Sequence, residues 1–224
     1  RGGGFGQRQS RVPEKIIEVQ IGAVDCFKGI NKQINYNRKT KCDPCNGSGG
    51  NRVKCTECGG EGYKTQRVGT GLFTQIVRTT CGVCGGNGSK LTSVCYSCSG
   101  SGSKDIMESI NITFPKGISD GQIMKVSQKG DFVNNMLGDL LLKVKIVNQN
   151  NFEKVENDLV YNAFFTLEDL NKDSFDVPHP DGTMSIKFLK EFNTLIPLRV
   201  KGKGYITNYT GDLIVRLNVR FTRN

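Results

Sequence analysis

Eight of the nine cysteines in this chain stand in four C-x-x-C pairs. They read CDPCNGSG (42–49), CTECGGEG (55–62), CGVCGGNG (81–88) and CYSCSGSG (95–102). Two residues between cysteines is short for a structural disulfide, but it lets one tight turn present two thiolates to one metal. Four such knuckles supply eight thiolates, enough for two tetrahedral zinc ions with zinc–sulfur bonds of ~2.3 Å. The candidate ligands are Cys42, Cys45, Cys55, Cys58, Cys81, Cys84, Cys95 and Cys98. Backbone N–H groups in each turn can point at the sulfurs and ease their charge. Glycines at the second and fourth positions after each knuckle let the chain reverse beside the metal, since glycine accepts unusual φ at little steric cost.

Spacing does not decide which pairs share an ion. Sequential pairing joins Cys42/Cys45 with Cys55/Cys58, and Cys81/Cys84 with Cys95/Cys98. Nested pairing joins the first pair with the fourth and the second with the third. Nested pairing brings the two ends of the block together, as an insertion between adjacent strands requires, and is expected on that ground. Two rivals from other classes share the motif. A thiol-disulfide exchange protein needs one activated thiolate, usually at a helix N-terminus, and four equivalent glycine-rich copies do not resemble that. A zinc-ribbon nucleic-acid module would use Arg52, Lys54, Lys64, Arg67, Arg78, Lys90 and Lys104, but the block offers few aromatics for stacking and no helix for a groove.

The elements around the block are read from alternation. Ile17, Val19 and Ile21 share one face of a strand, and Ile34 and Tyr36 share one face of another, with a turn at Lys28-Gly29. The block is too glycine-rich to build a hydrophobic core. YKTQRVGTGLFTQIVRTT within it reads as a hairpin around Gly69-Thr70-Gly71. Ile110, Ile112 and Phe114 alternate after it. A repeat then shows: IMKVSQKGDFVNNMLGDLLLKVKIV (123–147) matches PLRVKGKGYITNYTGDLIVRLNVRF (197–221). The expected fold is mainly β, with two tandem β-sandwich-like subdomains and a cysteine-rich, zinc-binding insertion in the first. Residues 1–14 form the end of a Gly/Phe-rich linker, 15–41 plus 105–148 the first β subdomain, 42–104 the insertion and 149–224 the second subdomain.

Bulk properties narrow the partners. The chain has 224 residues and a formal charge of +10, with Lys and Arg spread rather than blocked. That favours acidic partners in general without marking a binding tail. No apolar run approaches the ~18 residues of a membrane helix, so no membrane partner is expected. The first residue is Arg, so a longer precursor is expected. Cysteine usage points to a reducing compartment.

Four C-x-x-C-x-G-x-G repeats inserted in a twin-β chain behind a Gly/Phe stretch resemble the zinc-containing class of DnaJ-type co-chaperones, without the J domain. FPKGISDGQ and the repeated Gly-Asp-Leu strands are similar to that family too. The resemblance implies nested zinc sites: Cys42, Cys45, Cys95 and Cys98 in one, Cys55, Cys58, Cys81 and Cys84 in the other. It implies binding of unfolded client polypeptides and their delivery to a 70-kDa heat-shock chaperone, with no catalysis of its own. The implied client-peptide wall is Ile17, Ile34, Tyr36, Ile110 and Leu142, where an extended peptide adds as a strand at a sheet edge. These five also suit an ordinary core. The resemblance further implies a homodimeric full-length protein, whereas this fragment, which stops at FTRN, is expected to be a monomer. RVGTGLFTQIVRTTC is similar to bacterial and organellar members, so a plastid or mitochondrion is expected, with the cytoplasm as the alternative.

Two features stand apart. PHPDG (178–182) contains the His-Pro-Asp of J domains, but it lies between strand-like pieces and reads as a hairpin turn. Cys26, the unpaired ninth cysteine, reads as a small buried hydrophobe.

Overall fold

The computed structural model describes residues 14–69, 75–166, 168–187, 193 and 195–220. The linker (1–13) and the tip of the expected hairpin (70–74) lie outside the described residues. The chain is mainly β. It begins with β1 (Lys15–Gly22), a short helix α1 (Ala23–Lys28) and β2 (Ile30–Lys41). The cysteine block holds β3 (Gly50–Lys54), β4 (Tyr63–Val68), β5 (Gln75–Thr80) and β6 (Ser89–Val94). Then come β7 (Ser103–Phe114), β8 (Ile123–Val126), β9 (Phe132–Val133), β10 (Met136–Leu137) and β11 (Leu140–Val147). The last part contains β12 (Phe152–Val155), β13 (Asp158–Phe165), β14 (Ser174–His179), β15 (Gly182–Lys187), β16 (Leu198–Val200) and β17 (Leu213–Val219).

Two compact units form. One comprises Asn37–Glu108 and Ser127–Asp139 with Lys15; the other comprises Ile16–Tyr36, Ser109–Val126 and Leu140–Asn224. The second unit holds the main core. Period-2 alternation aims Val19 and Ile21 of β1, Ile34 and Tyr36 of β2, Phe114 of β7 and Leu140, Leu142 and Val144 of β11 into one cluster. Leu159 and Ala163 of β13, Val177 of β14 and Leu213, Val215 and Leu217 of β17 continue it. The sheets are ordered β1-β11-β8 and β12-β13-β17-β16, with β2 paired to β7 and β14 to β15. Because β2 pairs with β7, residues 42–102 are inserted between paired strands.

The sequence repeat is a repeat of structure. β8 and β11 pair antiparallel with Val126 opposite Leu140, and β16 and β17 pair antiparallel with Val200 opposite Leu213. The loop between each pair closes in the same way. Gly130 donates its N–H to Gly138 O, as Gly204 does to Gly211 O, each at 2.9 Å. Asp139 accepts the N–H of Gln128 at 2.8 Å, and Asp212 accepts that of Gly202 at 2.7 Å. Gln128 and Gly202 both have positive φ, at 58° and 68°. The Gly-Asp-Leu signature therefore encodes a loop clasp followed by a core leucine.

One element differs from the reading by alternation. Ala23 and Val24 do not continue β1; they open α1, which Gly29 ends at φ 74°. Six residues are too few to show helical periodicity, and tertiary packing decides the matter. Ala23 and Cys26 are the buried side of this turn, and the Cys26 thiol donates to Ile118 O at 3.1 Å. Burial pushes that thiol up to about 11, consistent with a packing role. Tyr205, 1% exposed, donates its hydroxyl to Ala23 O at 2.9 Å and stacks on Phe27. His179 ends β14 rather than lying in a helix–loop–helix. Its Nδ1 accepts the Asp181 N–H at 3.1 Å, so Nε2 carries the proton and donates to Lys203 O at 3.0 Å. The histidine has a structural role.

Tyr205→Phe removes the hydroxyl hydrogen bond to the Ala23 carbonyl and is expected to lower stability by about 1 kcal/mol. Urea unfolding is expected to show a lower midpoint with an unchanged slope.

Candidate metal centres

Each C-x-x-C knuckle folds on its own backbone first. In the first, Gly47 N–H bonds to Cys42 O at 3.2 Å and Ser48 N–H to Cys45 O at 3.0 Å. In the second, Gly60 N–H bonds to Cys55 O and Glu61 N–H to Cys58 O, both at 3.1 Å. The chain enters the left-handed region three times per repeat; Asn46 and Ser99 take the first such position in two repeats, and glycine takes the other two, with φ 85° and 79° at Gly47 and Gly49 and 87° and 74° at Gly100 and Gly102.

The knuckles then pair two by two. Cys42 donates its N–H to Gly102 O at 3.0 Å, while Cys95 donates to Gly49 O at 2.9 Å. Cys55 donates to Gly88 O and Cys81 to Gly62 O, both at 2.9 Å. Each pair is thus reciprocal. The glycine at the fourth position after each knuckle also lies against the glycine at the second position of its partner. A Cβ on Gly49 would sit 2.3 Å from Gly100 O, and one on Gly102 2.3 Å from Gly47 O. In the other pair, Cβ atoms on Gly62 and Gly88 would sit 2.3 Å from Gly86 O and Gly60 O. The alternating glycines therefore serve two ends, a backbone turn and a backbone-to-backbone contact between knuckles.

This pairing gathers the cysteine sulfurs. Cys42, Cys45, Cys95 and Cys98 form one group and Cys55, Cys58, Cys81 and Cys84 the other, with all ligand atoms in each within 4.8 Å of one another. The closest sulfurs are Cys45 and Cys98 at 3.7 Å, Cys58 and Cys84 at 3.8 Å, and Cys42–Cys95 and Cys55–Cys81 at 4.0 Å. A tetrahedron with metal–sulfur bonds of ~2.3 Å has edges of ~3.8 Å, so both groups fit a metal ion. All eight thiols are free of disulfides. The antiparallel β3–β6 ladder runs between the two groups, with Gly50 opposite Val94 at one end and Lys54 opposite Ser89 at the other. The β4–β5 hairpin leaves the second group, Tyr63 opposite Thr80, and Arg78 stacks on the Tyr63 ring at 4.7 Å.

The local field favours the thiolate at Cys45, Cys58, Cys81 and Cys98. Burial pushes the Cys45 thiol upward, but the N–H groups of Gly49 and Gly47 and the neighbouring Cys42 and Cys98 outweigh it and bring it down to about 6. At Cys58, burial is likewise outweighed by the N–H groups of Gly62 and Gly60, to about 7. Cys98 is lowered too, with burial opposed chiefly by Gly102. Burial wins at Cys42, which is pushed up to about 12, and at Cys84, which is also raised. A divalent metal reverses that balance, because it stabilises every thiolate it touches.

The five implied client-contact residues lie in the other unit. Leu142 is 0% exposed, Ile34 7% and Tyr36 6%, all within the core cluster. Ile17 and Ile110 are partly buried and pack against the cluster from its margin. β1, which carries Ile17, is an edge strand of its sheet. Sequence reasoning had no signal for the β9–β10 hairpin beside the first knuckle, where Phe132 lies on Gly47. A two-residue strand has no period to read.

Gly102→Ala places a methyl 2.3 Å from a backbone oxygen at φ 74°. It is expected to abolish the first metal group and spare the second, halving the metal bound per chain. Gly59→Ala, at φ 58° with open space around the new methyl, is expected to keep both groups at a cost of about 1 kcal/mol. Metal analysis after gel filtration checks both.

The DnaJ C terminal domain family matches residues 16–222. The chain is 30% identical over 233 residues to the chaperone protein DnaJ of Thermoplasma acidophilum, covering 96% of this chain and 61% of that protein. It is 32% identical over 216 residues to the chaperone protein DnaJ of Aliarcobacter butzleri, covering 92% and 57%. With that of Psychrobacter arcticus it shares 30% over 230 residues, covering 97% and 59%. The chain therefore spans about three fifths of the length of these relatives. Their archaeal and bacterial sources lend no support to the expected plastid or mitochondrial location; the cytoplasmic alternative fits them. With the match running almost end to end and both cysteine groups assembled, the chain belongs to the DnaJ C-terminal domain family.

Proposed function

We propose that this chain is the client-binding part of a co-chaperone. It binds unfolded or misfolded polypeptides and delivers them to a 70-kDa heat-shock chaperone, and it catalyses no reaction. The observation that carries this reading is the pair of four-cysteine groups set between the paired strands β2 and β7 of a DnaJ C-terminal domain chain. The groups hold zinc: Cys42, Cys45, Cys95 and Cys98 one ion, Cys55, Cys58, Cys81 and Cys84 the other. Zinc there is structural, since four thiolates close its coordination and leave no position for substrate. Residues 15–41 and 105–148 serve as the client-binding subdomain, 42–104 as the zinc insertion and 149–224 as a second β subdomain. The full-length protein is a homodimer in the reducing cytoplasm, and this fragment is a monomer.

The edge of β1 is where an extended peptide adds. Backbone pairing supplies affinity, and the half-buried Ile17 and Ile110 receive apolar side chains from above, while Ile34, Tyr36 and Leu142 form the floor. A charge at Leu142 is a poor probe, because an unpaired buried carboxylate costs several kcal/mol and unfolds the sheet. Ile17 and Ile110 test the groove without that penalty.

A fluorescently labelled, extended Leu-rich peptide is expected to bind saturably, with affinity little changed between low and high salt. Ile17→Asp is expected to weaken it about tenfold with an unchanged circular dichroism spectrum. Absence of peptide binding, with an oligonucleotide binding instead and losing affinity steeply with salt, would sink the chaperone reading in favour of a nucleic-acid module.

A further inference from the structure

The two loop clasps of the β repeat are equivalent in their bonds but not in where they rest. In the second repeat the loop settles on Gly117, where a Cβ would lie 2.7 Å from Ile206 O. In the first repeat, the loop grows into the β9–β10 hairpin and settles on a cysteine knuckle. A Cβ on Gly47 would lie 2.9 Å from Phe132 Cζ and 3.0 Å from Asn135 Oδ1.

The hairpin is small. Its strands are two residues each, Val133 opposite Met136 and Phe132 opposite Leu137, and a hairpin of that size is not stable alone in water. Met136 and Leu137 are exposed, and Asn134 and Asn135 turn the chain with positive φ. Its base is fixed independently: Asp131 accepts the Lys39 N–H at 2.7 Å and pairs with Lys15 at 3.0 Å, and Gly138 N–H bonds to Asp131 O. Beneath the tip lies a cavity of about 590 Å³ bounded by Ser48, Arg52, Ser101 and the hairpin itself. At the tip, Phe132 and Asn135 lie against Gly47.

That glycine is placed by the first cysteine group. Gly47 N–H is bonded to Cys42 O, and Gly47 O lies where a Cβ on Gly102 would be. Gly47 thus holds its position only while the first and fourth knuckles stay paired. The second cysteine group is at the other end of the β3–β6 ladder; Asn87 beside it lines the same cavity as the hairpin, but no glycine of that group has the hairpin against it among the described residues. Residues 127–139 are also the chain's direct link from β8 to β11.

We propose that Phe132 and Asn135 make the β9–β10 hairpin a docking element for the first metal centre alone, so that metal at Cys42, Cys45, Cys95 and Cys98 orders the hairpin and the docked hairpin in turn retains that metal. This rests on the reading of the cysteine groups as metal centres. Coupling between the two events is reciprocal by thermodynamic necessity: whatever factor the metal adds to docking, docking adds to metal affinity.

The test uses the whole chain loaded with zinc, with metal content measured first. Hydrogen exchange over residues 130–138 is compared in the wild type, in Cys45→Ser/Cys98→Ser and in Cys58→Ser/Cys84→Ser, with residues 204–211 as the internal control. Exchange at 130–138 is expected to accelerate about tenfold or more in the first variant and to stay unchanged in the second. Phe132→Ala is expected to keep the fold and both ions. In competition with a chelator, it is expected to release the first ion about fivefold or more faster and the second at the wild-type rate. Equal exchange at 130–138 in the two double variants, or release of both ions at wild-type rates from Phe132→Ala, would overturn the coupling while leaving the metal centres intact. A wild-type chain that takes up no zinc would overturn the metal reading itself.

Discussion

A carbonyl oxygen can lie against a Cα only where there is no Cβ, and the cysteine block is built on that constraint. The glycine at the fourth position after each knuckle takes the carbonyl of the glycine at the second position of its partner, and the first cysteine N–H closes the pair. Once the backbones are in contact, the four sulfurs fall within one coordination sphere. The same N–H groups that shape the turns also draw thiols such as Cys45 and Cys58 toward the thiolate. Turn geometry, knuckle pairing and thiolate stabilisation share one set of glycines, so the block needs almost no hydrophobic core of its own.

The β part solves a different problem with more usual means. Alternating strands bury Leu140, Leu142, Leu213 and Val215 at 0% exposure, and this burial supplies the driving force. Polar detail sets the geometry around it. Asp139 and Asp212 clasp equivalent loops, Tyr205 and Cys26 satisfy buried carbonyls, and His179 ties its turn to the Lys203 carbonyl. Backbone-paired cysteine knuckles in one unit and apolar burial in the other are thus separate sources of order.

The residues that carry the family resemblance are of both kinds. The cysteines and glycines are tied to one chemical purpose and stand at fixed offsets, so their motif is specific. Ile17, Ile34, Tyr36, Ile110 and Leu142 are apolar residues on alternating strands, and any such strand supplies them. The structure separates them by depth, with Leu142, Ile34 and Tyr36 inside the core and Ile17 and Ile110 at its margin.

The sequence by itself determined the mainly β class, the cysteine motif and the repeat of 123–147 in 197–221. Each depends on local periodicity or a fixed spacing, which sequence displays directly. Spacing could not say which knuckles meet; that follows from the pairing of β2 with β7, a contact between segments some sixty residues apart that brings Cys42 beside Gly102. The same holds for α1, whose six residues are helical because Ala23 and Cys26 are buried there, and for the hairpin that seats Phe132 on Gly47. These are decided by what lies opposite in space, and a short segment carries no record of its opposite.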